Sequence, residues 1–298
     1  MKRAQMKGYA ALAALMLSPL AVAQAEPLAP SAPAALPITL DIVVGGNQAV
    51  IGIDAGALPL ARDAELLLSF DDAENLCAET LGASVALVNP LDPAFRARLP
   101  TGALVPLALP VMIRIEPPAS AVCPGDPTPG ALAFNDTVRA EVHTHLLPFT
   151  VDSPLRLYKA PLGGMFFDLT DAVLPGSVRT GGRTGGFSEF IVVIDLRPVA
   201  ETIEAKYDFL AARLVNPAIA PGVVPQLQSD LAASRSAFDA ADRAAAIAAL
   251  DAFVQRIDAA NAAVIQIPNR WRAQRDLDNI AGDLKGEAAS LRFHLGRL

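Results

Sequence analysis

Past its first two dozen residues the chain has no apolar run long enough to cross a bilayer. Histidine occurs three times and cysteine twice, and neither cysteine has a second cysteine or a histidine at metal-ligand spacing. Aromatic residues make up 5% of the 298 positions, with one tryptophan, which counts against a surface that grips sugar rings. Basic residues are outnumbered, 24 against 31 acidic. That balance argues against nucleic acid and anionic membrane surfaces, which want Lys and Arg concentrated in a patch. The phosphate-loop pattern G-x-x-x-x-G-K-[ST] is missing, and Ser188 in Gly186-Phe187-Ser188-Glu189-Phe190 is no G-x-S-x-G nucleophile elbow.

What is present begins with a basic start (Lys2, Arg3, Lys7), an apolar stretch Tyr9–Leu17, a break at Pro19 and the small-x-small triplet Ala23-Gln24-Ala25. This is the grammar of a cleavable secretion signal over residues 1–25, giving a secreted or periplasmic product. Cleavage near Ala25 leaves 21 basic and 31 acidic residues, a formal charge of −10. In an exported chain two cysteines imply one disulfide, Cys77 to Cys123. Closing a loop of 46 residues stabilises a fold by about 4 kcal/mol on the chain-entropy model.

Residues 26–36 are rich in Pro and Ala without an apolar period and read as a disordered leader. From residue 37 the apolar period is two. Ile38, Leu40, Ile42 and Val44 alternate, Gly45-Gly46-Asn47 turns, and Ala49, Ile51 and Ile53 resume, which predicts a hairpin. Eight further short β-type runs follow up to Leu196, separated by Pro, Gly, Asn and Asp, with no convincing helix between them. Residues 37–197 are therefore expected to form an all-β sandwich domain. After Arg197-Pro198 the period changes to that of helices, with stripes at Ile203–Leu214, Val224–Phe238, Ala246–Ile257 and from Ile267-Pro268 to Leu295. Residues 199–298 are expected to be a small all-α helical bundle domain of four helices.

The run Ala237-Phe238-Asp239-Ala240-Ala241-Asp242, continuing to Ala252-Phe253, resembles the FIMAH-type helical module appended to secreted bacterial proteins. There a turn glycine precedes the helix carrying the Ala-Phe pair, and here Ala241-Asp242 stands in that place. The β portion, with Lys159-Ala160-Pro161-Leu162-Gly163-Gly164 and Gly185-Gly186-Phe187-Ser188-Glu189-Phe190, is similar to immunoglobulin-like and cohesin-like sandwiches of an uncharacterised family of exported bacterial proteins. The resemblance implies a binding, attachment or structural role without catalytic residues or cofactor. The partner is unspecified, a cell-surface or extracellular protein or a polysaccharide being the classes it leaves open.

Three groups of residues carry candidate chemistry. Glu141, His143 and His145 project to one face of a strand and together offer ligands for Zn²⁺ or Cu²⁺. They define the alternative reading, a metal-binding protein or metal-dependent enzyme, against the plainer one of a solvent-facing strand edge. Asp71, Asp72 and Glu74 gather oxygen ligands for Ca²⁺ in one acidic loop, with Asp126 as a further donor. Arg179-Thr180-Gly181-Gly182-Arg183-Thr184-Gly185-Gly186 reads as a glycine-rich hairpin loop, with Arg179 and Arg183 as its ligand contacts.

Overall fold

In the β half, side chains at alternate positions disappear from solvent. Along Gln48–Asp54 and Ala64–Phe70 every second residue is buried, as a pleated strand with one face on a core requires. The structure, a computed structural model, describes residues 38–54, 64–125, 130–175 and 178–298. The expected signal (1–25) and leader (26–36) lie outside the described residues, as does Asp126.

The strands are β1 (Thr39–Gly45), β2 (Gln48–Asp54), β3 (Ala64–Glu74), β4 (Ala83–Leu87), β5 (Ala103–Leu104), β6 (Val111–Ile115), β7 (Ala133–Thr144), β8 (Leu155–Ala160), β9 (Phe167–Asp168), β10 (Ala172–Leu174), β11 (Val178–Thr184), β12 (Glu189–Asp195) and β13 (Arg270–Arg272). The helices are α1 (Ala78–Leu81), α2 (Pro93–Arg96), α3 (Val199–Arg213), α4 (Val224–Asp239), α5 (Arg243–Asn261) and α6 (Ile280–Leu295). Two antiparallel sheets result. One runs β1-β2-β3-β7-β11-β10 with β13 also on β7, and the other runs β4-β6-β12-β8-β9 with β5 on β12. The expected hairpin is present, with Val44 opposite Ala49.

One apolar cluster draws on both sheets: Ile51, Leu66, Leu68 and Val142 from the first, Ile113, Leu157, Phe190 and Val192 from the second. Tyr158, Ile191 and Val193, on the other face of the second sheet, join Phe95, Leu99 and Phe166 in a smaller cluster. The helices bury their own stripe, including Ile203, Leu210, Leu227, Leu250, Phe253, Leu284 and Leu291. All described residues belong to one compact unit. Among them, no helix is long and apolar enough to cross a membrane.

The helix expected from Ile267 does not start there. Residues 270–272 are a strand, and the last helix begins only at Ile280, capped by the Asn279 side chain accepting from Gly282 N–H. The reason is Trp271. In β13 it sits opposite Phe134 of β7, stacks on that ring at 5.3 Å between centroids and meets Phe187 edge-on at 5.0 Å. Helical spacing would take it off this aromatic cluster, so tertiary packing overrides the local pattern. Helix α6 then lies against β11 and β7 at very short range. A Cβ on Gly286 would fall 2.3 Å from the Arg183 carbonyl oxygen, and one on Gly282 would fall 2.3 Å from that of Asp136.

A cleft around a buried lysine

Strand β8 has both faces covered. Leu155 and Leu157 point into the large apolar cluster and Tyr158 and Ala160 into the smaller one. The next inward position of the Leu155, Leu157 series is Lys159, and it too is buried. Its ammonium donates to Thr184 Oγ1 of β11 at 2.5 Å. Burial pushes its pKa down, against the pull of the Asp283 carboxylate.

Lys159 lines two adjoining hollows. One, of about 300 Å³, is walled by Phe167, Leu169, Phe187 and Phe209, with Arg183, Arg213, Asp283 and Glu287. The other, of about 420 Å³, opens toward Gly185, Gly186, Trp271 and Asp278 and shares Lys159, Pro161, Phe187 and Asp283. Four elements therefore meet β8 here. Strand β9 supplies Phe167, whose ring stacks on Phe209 of α3 at 5.8 Å. Strand β11 supplies Thr184, and α6 supplies Asp283.

Most charges at the cleft are already matched. Arg213 pairs with Asp278 and with Asp283 (2.7 Å to the latter), and Arg183 pairs with Asp171 at 2.6 Å. Asp283 also accepts from Gly185 N–H at 3.2 Å. Behind the cleft lies a buried polar network. Lys206 of α3 donates to the Asp168 carbonyl at 2.7 Å and to Glu287 at 3.1 Å. His294 Nε2 is 2.6 Å from Asp168 Oδ2, and Ser290 Oγ donates to the Thr170 carbonyl at 2.7 Å. Burial pushes the Asp168 carboxyl up, but Lys206 and His294 outweigh it and hold it below the usual carboxylate range. Burial raises the Glu287 pKa against Lys206 and lowers that of His294 against Asp168. His294 Nδ1 is buried without a hydrogen-bond partner, so a proton there would be unmatched, which works in the same direction as burial.

The residues singled out from sequence are dispersed. Glu141 and His143 lie on β7, which has a neighbour on either side and is not an edge strand. Glu141 is 3.5 Å from both Arg139 and Arg179, while His143 Nδ1 bonds Glu65 Oε1 at 2.7 Å. The His143 and His145 rings are 5.0 Å apart and line a separate groove of about 480 Å³ with Asp41, Asp54 and Glu65. Glu141 is not among the residues of that groove. Among the described residues no three His, Cys, Asp or Glu side chains gather in a metal-holding arrangement.

Asp71, Asp72 and Glu74 are not a loop but the end of β3, continued past an irregularity between Phe70 and Asp72. Each has a different partner. Asp71 accepts from Thr137 N–H and Oγ1 (3.0 and 2.6 Å), Asp72 from Asn135 (2.7 Å), and Glu74 from the two terminal guanidinium nitrogens of Arg270 (2.7 and 2.6 Å). Arg179–Gly186 is likewise no hairpin loop, since Val178–Thr184 is strand β11, paired with β7 and β10. Its glycines serve close packing. A Cβ on Gly182 would fall 1.9 Å from the Leu169 carbonyl oxygen, and one on Gly185 would fall 2.5 Å from that of Asn279. Of the two arginines, Arg183 lines the Lys159 cleft and Arg179 does not. Cys77 and Cys123 are bonded, with Cα atoms 5.8 Å apart.

Sequence reasoning missed Lys159. The signal was the series Leu155, Leu157, Lys159, a lysine continuing an apolar phase of a strand whose other phase is Arg156, Tyr158 and Ala160. No curated protein matches the chain. The model of a family of unknown function, DUF6689, matches residues 11–298, nearly the whole sequence, and the chain belongs to that family.

Proposed function

We propose that the chain is an exported, non-enzymatic binding module: a β-sandwich carrying a FIMAH-like four-helix bundle, released to the periplasm or beyond after cleavage near Ala25. The observation that carries this reading is the cleft where both sheets and the helices meet around buried Lys159. Clefts of this kind, apolar walls with a few convergent polar groups, are where proteins hold small ligands. The disulfide supports export, because such bonds persist in oxidising compartments. The carboxylates and guanidinium groups of the cleft are consumed by one another, an arrangement suited to rigidity more than to acid–base chemistry.

The test is a thermal-shift screen of residues 26–298 against sugars, organic acids, amines, peptides and metal ions, repeated with Lys159→Met. A stabilising compound whose effect is lost in the variant supports the reading. If every stabilising compound works equally well on both proteins, the cleft is not the binding element. The alternative, a metal-handling protein centred on His143 and His145, is favoured by their adjacent rings at the 480 Å³ groove. It requires Zn²⁺ or Cu²⁺ to raise the melting temperature at pH 7.5, with no rise in His143→Ala/His145→Ala.

A further inference from the structure

Building on the binding-module reading above, we infer that the Lys159 cleft takes a small organic acid, its carboxylate on the Lys159 ammonium and its apolar body against Phe167, Leu169, Phe187 and Phe209.

The first argument is pairing. Buried charges in proteins are matched by an opposite charge or by a full set of hydrogen bonds, because leaving them unmatched is costly. An ammonium carries three donors. Lys159 is buried and donates to one hydroxyl, Thr184 Oγ1. That hydroxyl is itself engaged with the Gly186 backbone, donating to its carbonyl at 3.2 Å and accepting from its N–H at 3.4 Å. Among the described residues, no carboxylate lies in ion-pair contact with Lys159. The nearby acids are engaged elsewhere, Asp283 with Arg213 and Gly185 N–H, and Glu287 with Lys206.

The second argument is shape. The 300 Å³ hollow that Lys159 lines has Pro161, Phe167, Leu169, Phe187 and Phe209 for its apolar wall, and its other charged side chains are each in an ion pair, Arg183 with Asp171, Arg213 with Asp283 and Glu287 with Lys206. One point charge without an ion pair beside an apolar wall suits a monocarboxylate. Phosphate is more often held by bidentate Arg or by converging backbone amides, and both cleft arginines are held by acids. The depressed Lys159 pKa agrees with this geometry, since burial disfavours a cation that an incoming anion would stabilise.

The experiment is isothermal titration calorimetry of residues 26–298 with 3-phenylpropionate and octanoate, each against its uncharged amide. The expected result is binding of at least one acid and at least tenfold weaker binding of its amide. Lys159→Met should weaken the acid at least tenfold, and Lys159→Arg should retain more affinity than Lys159→Met. Phe209→Ala, at a half-buried position on α3, should weaken acid and amide alike, and it carries the test if Lys159→Met does not fold. Equal binding of acid and amide overturns the inference, as does unchanged acid binding in Lys159→Met. Failure of both acids also overturns it. The binding-module reading survives that failure if the thermal-shift screen yields another compound whose effect depends on Lys159.

Discussion

Acidification from pH 7.5 to 5 should act on the buried network in two opposing ways that single substitutions separate. His294 is packed against Asp168 of β9, with Lys206 of α3 and Arg156 of β8 close by and Glu287 of α6 bonded to that lysine. Its folded pKa is depressed, so below an unfolded value near 6.5 the unfolded chain takes up a proton that the folded one refuses. Stability is then lost as pH falls, by up to about 1.4 kcal/mol per pH unit. Glu287 has the opposite sign. Its folded pKa is raised, so the folded chain takes up the proton first, and acidification toward about pH 4.3 adds stability. Asp168, held low, loses its contribution only below roughly pH 4 and stays out of this window. Urea unfolding at half-unit steps should therefore give three curves. Glu287→Gln should lose stability steeply below pH 6.5, and His294→Gln should hold or gain. Wild type should lie between them in slope. His143 and His145 are common to all three proteins and cancel in the differences. If His294→Gln and wild type run parallel, His294 titrates alike in both states and the network does not depress it.

Three further outcomes are expected. Reducing Cys77–Cys123, which closes a 46-residue separation, should destabilise the fold by about 4 kcal/mol in denaturant titrations, and a loss below 1 kcal/mol would refute the estimate. Trp271→Ala should cost about 3–5 kcal/mol and lower helix and sheet signals at one shared midpoint, since its ring joins β7 to the segment leading into α6. A helical transition separating from the sheet transition in wild type would show that the two halves are not coupled. Ala241, at φ 57° between α4 and α5, occupies the left-handed region that costs a non-glycine residue about 1–2 kcal/mol, so Ala241→Gly should stabilise by about 0.5–1 kcal/mol once the chain entropy of glycine is counted.

That last position shows why parts of the fold were legible. The FIMAH-like resemblance marked residue 241 as the place of a turn glycine, and the backbone there does adopt the conformation glycine favours, with Asp242 capping α5 through Ala245 N–H. Local rules also reached the β1–β2 hairpin and helices α3 to α5, because each buries its own stripe against its neighbours. They failed where burial is decided by distant partners. Asp71, Asp72 and Glu74 look like a loop of ligands because three acids in four residues are unusual in a strand. Here Thr137, Asn135 and Arg270 satisfy them one by one. The glycines at 181–186 look flexible in sequence. In the fold Gly182 and Gly185 are where the backbone at Leu169 and the start of α6 come too close for any side chain, while Gly181 and Gly186 lie against Arg139 and Trp271.

The site was hidden for a related reason. A search for chemistry in sequence favours clusters such as Glu-x-His-x-His, where reactive side chains recur at strand spacing, and Lys159 belongs to no such cluster. Its neighbours in space come from β9, β11, α3 and α6, between 8 and 128 positions away in the chain. What the sequence does contain is an inconsistency within one face of a strand: in Leu155–Ala160 the apolar series Leu155, Leu157 continues to a lysine, while the other face carries Arg156, Tyr158 and Ala160. A fully buried strand rarely admits a lysine without a partner. Thr184 alone matches one donor of three. A lysine that interrupts the apolar phase of a doubly covered strand therefore points to an anion supplied from outside the fold, and it directs attention to the cleft sooner than the paired histidines do.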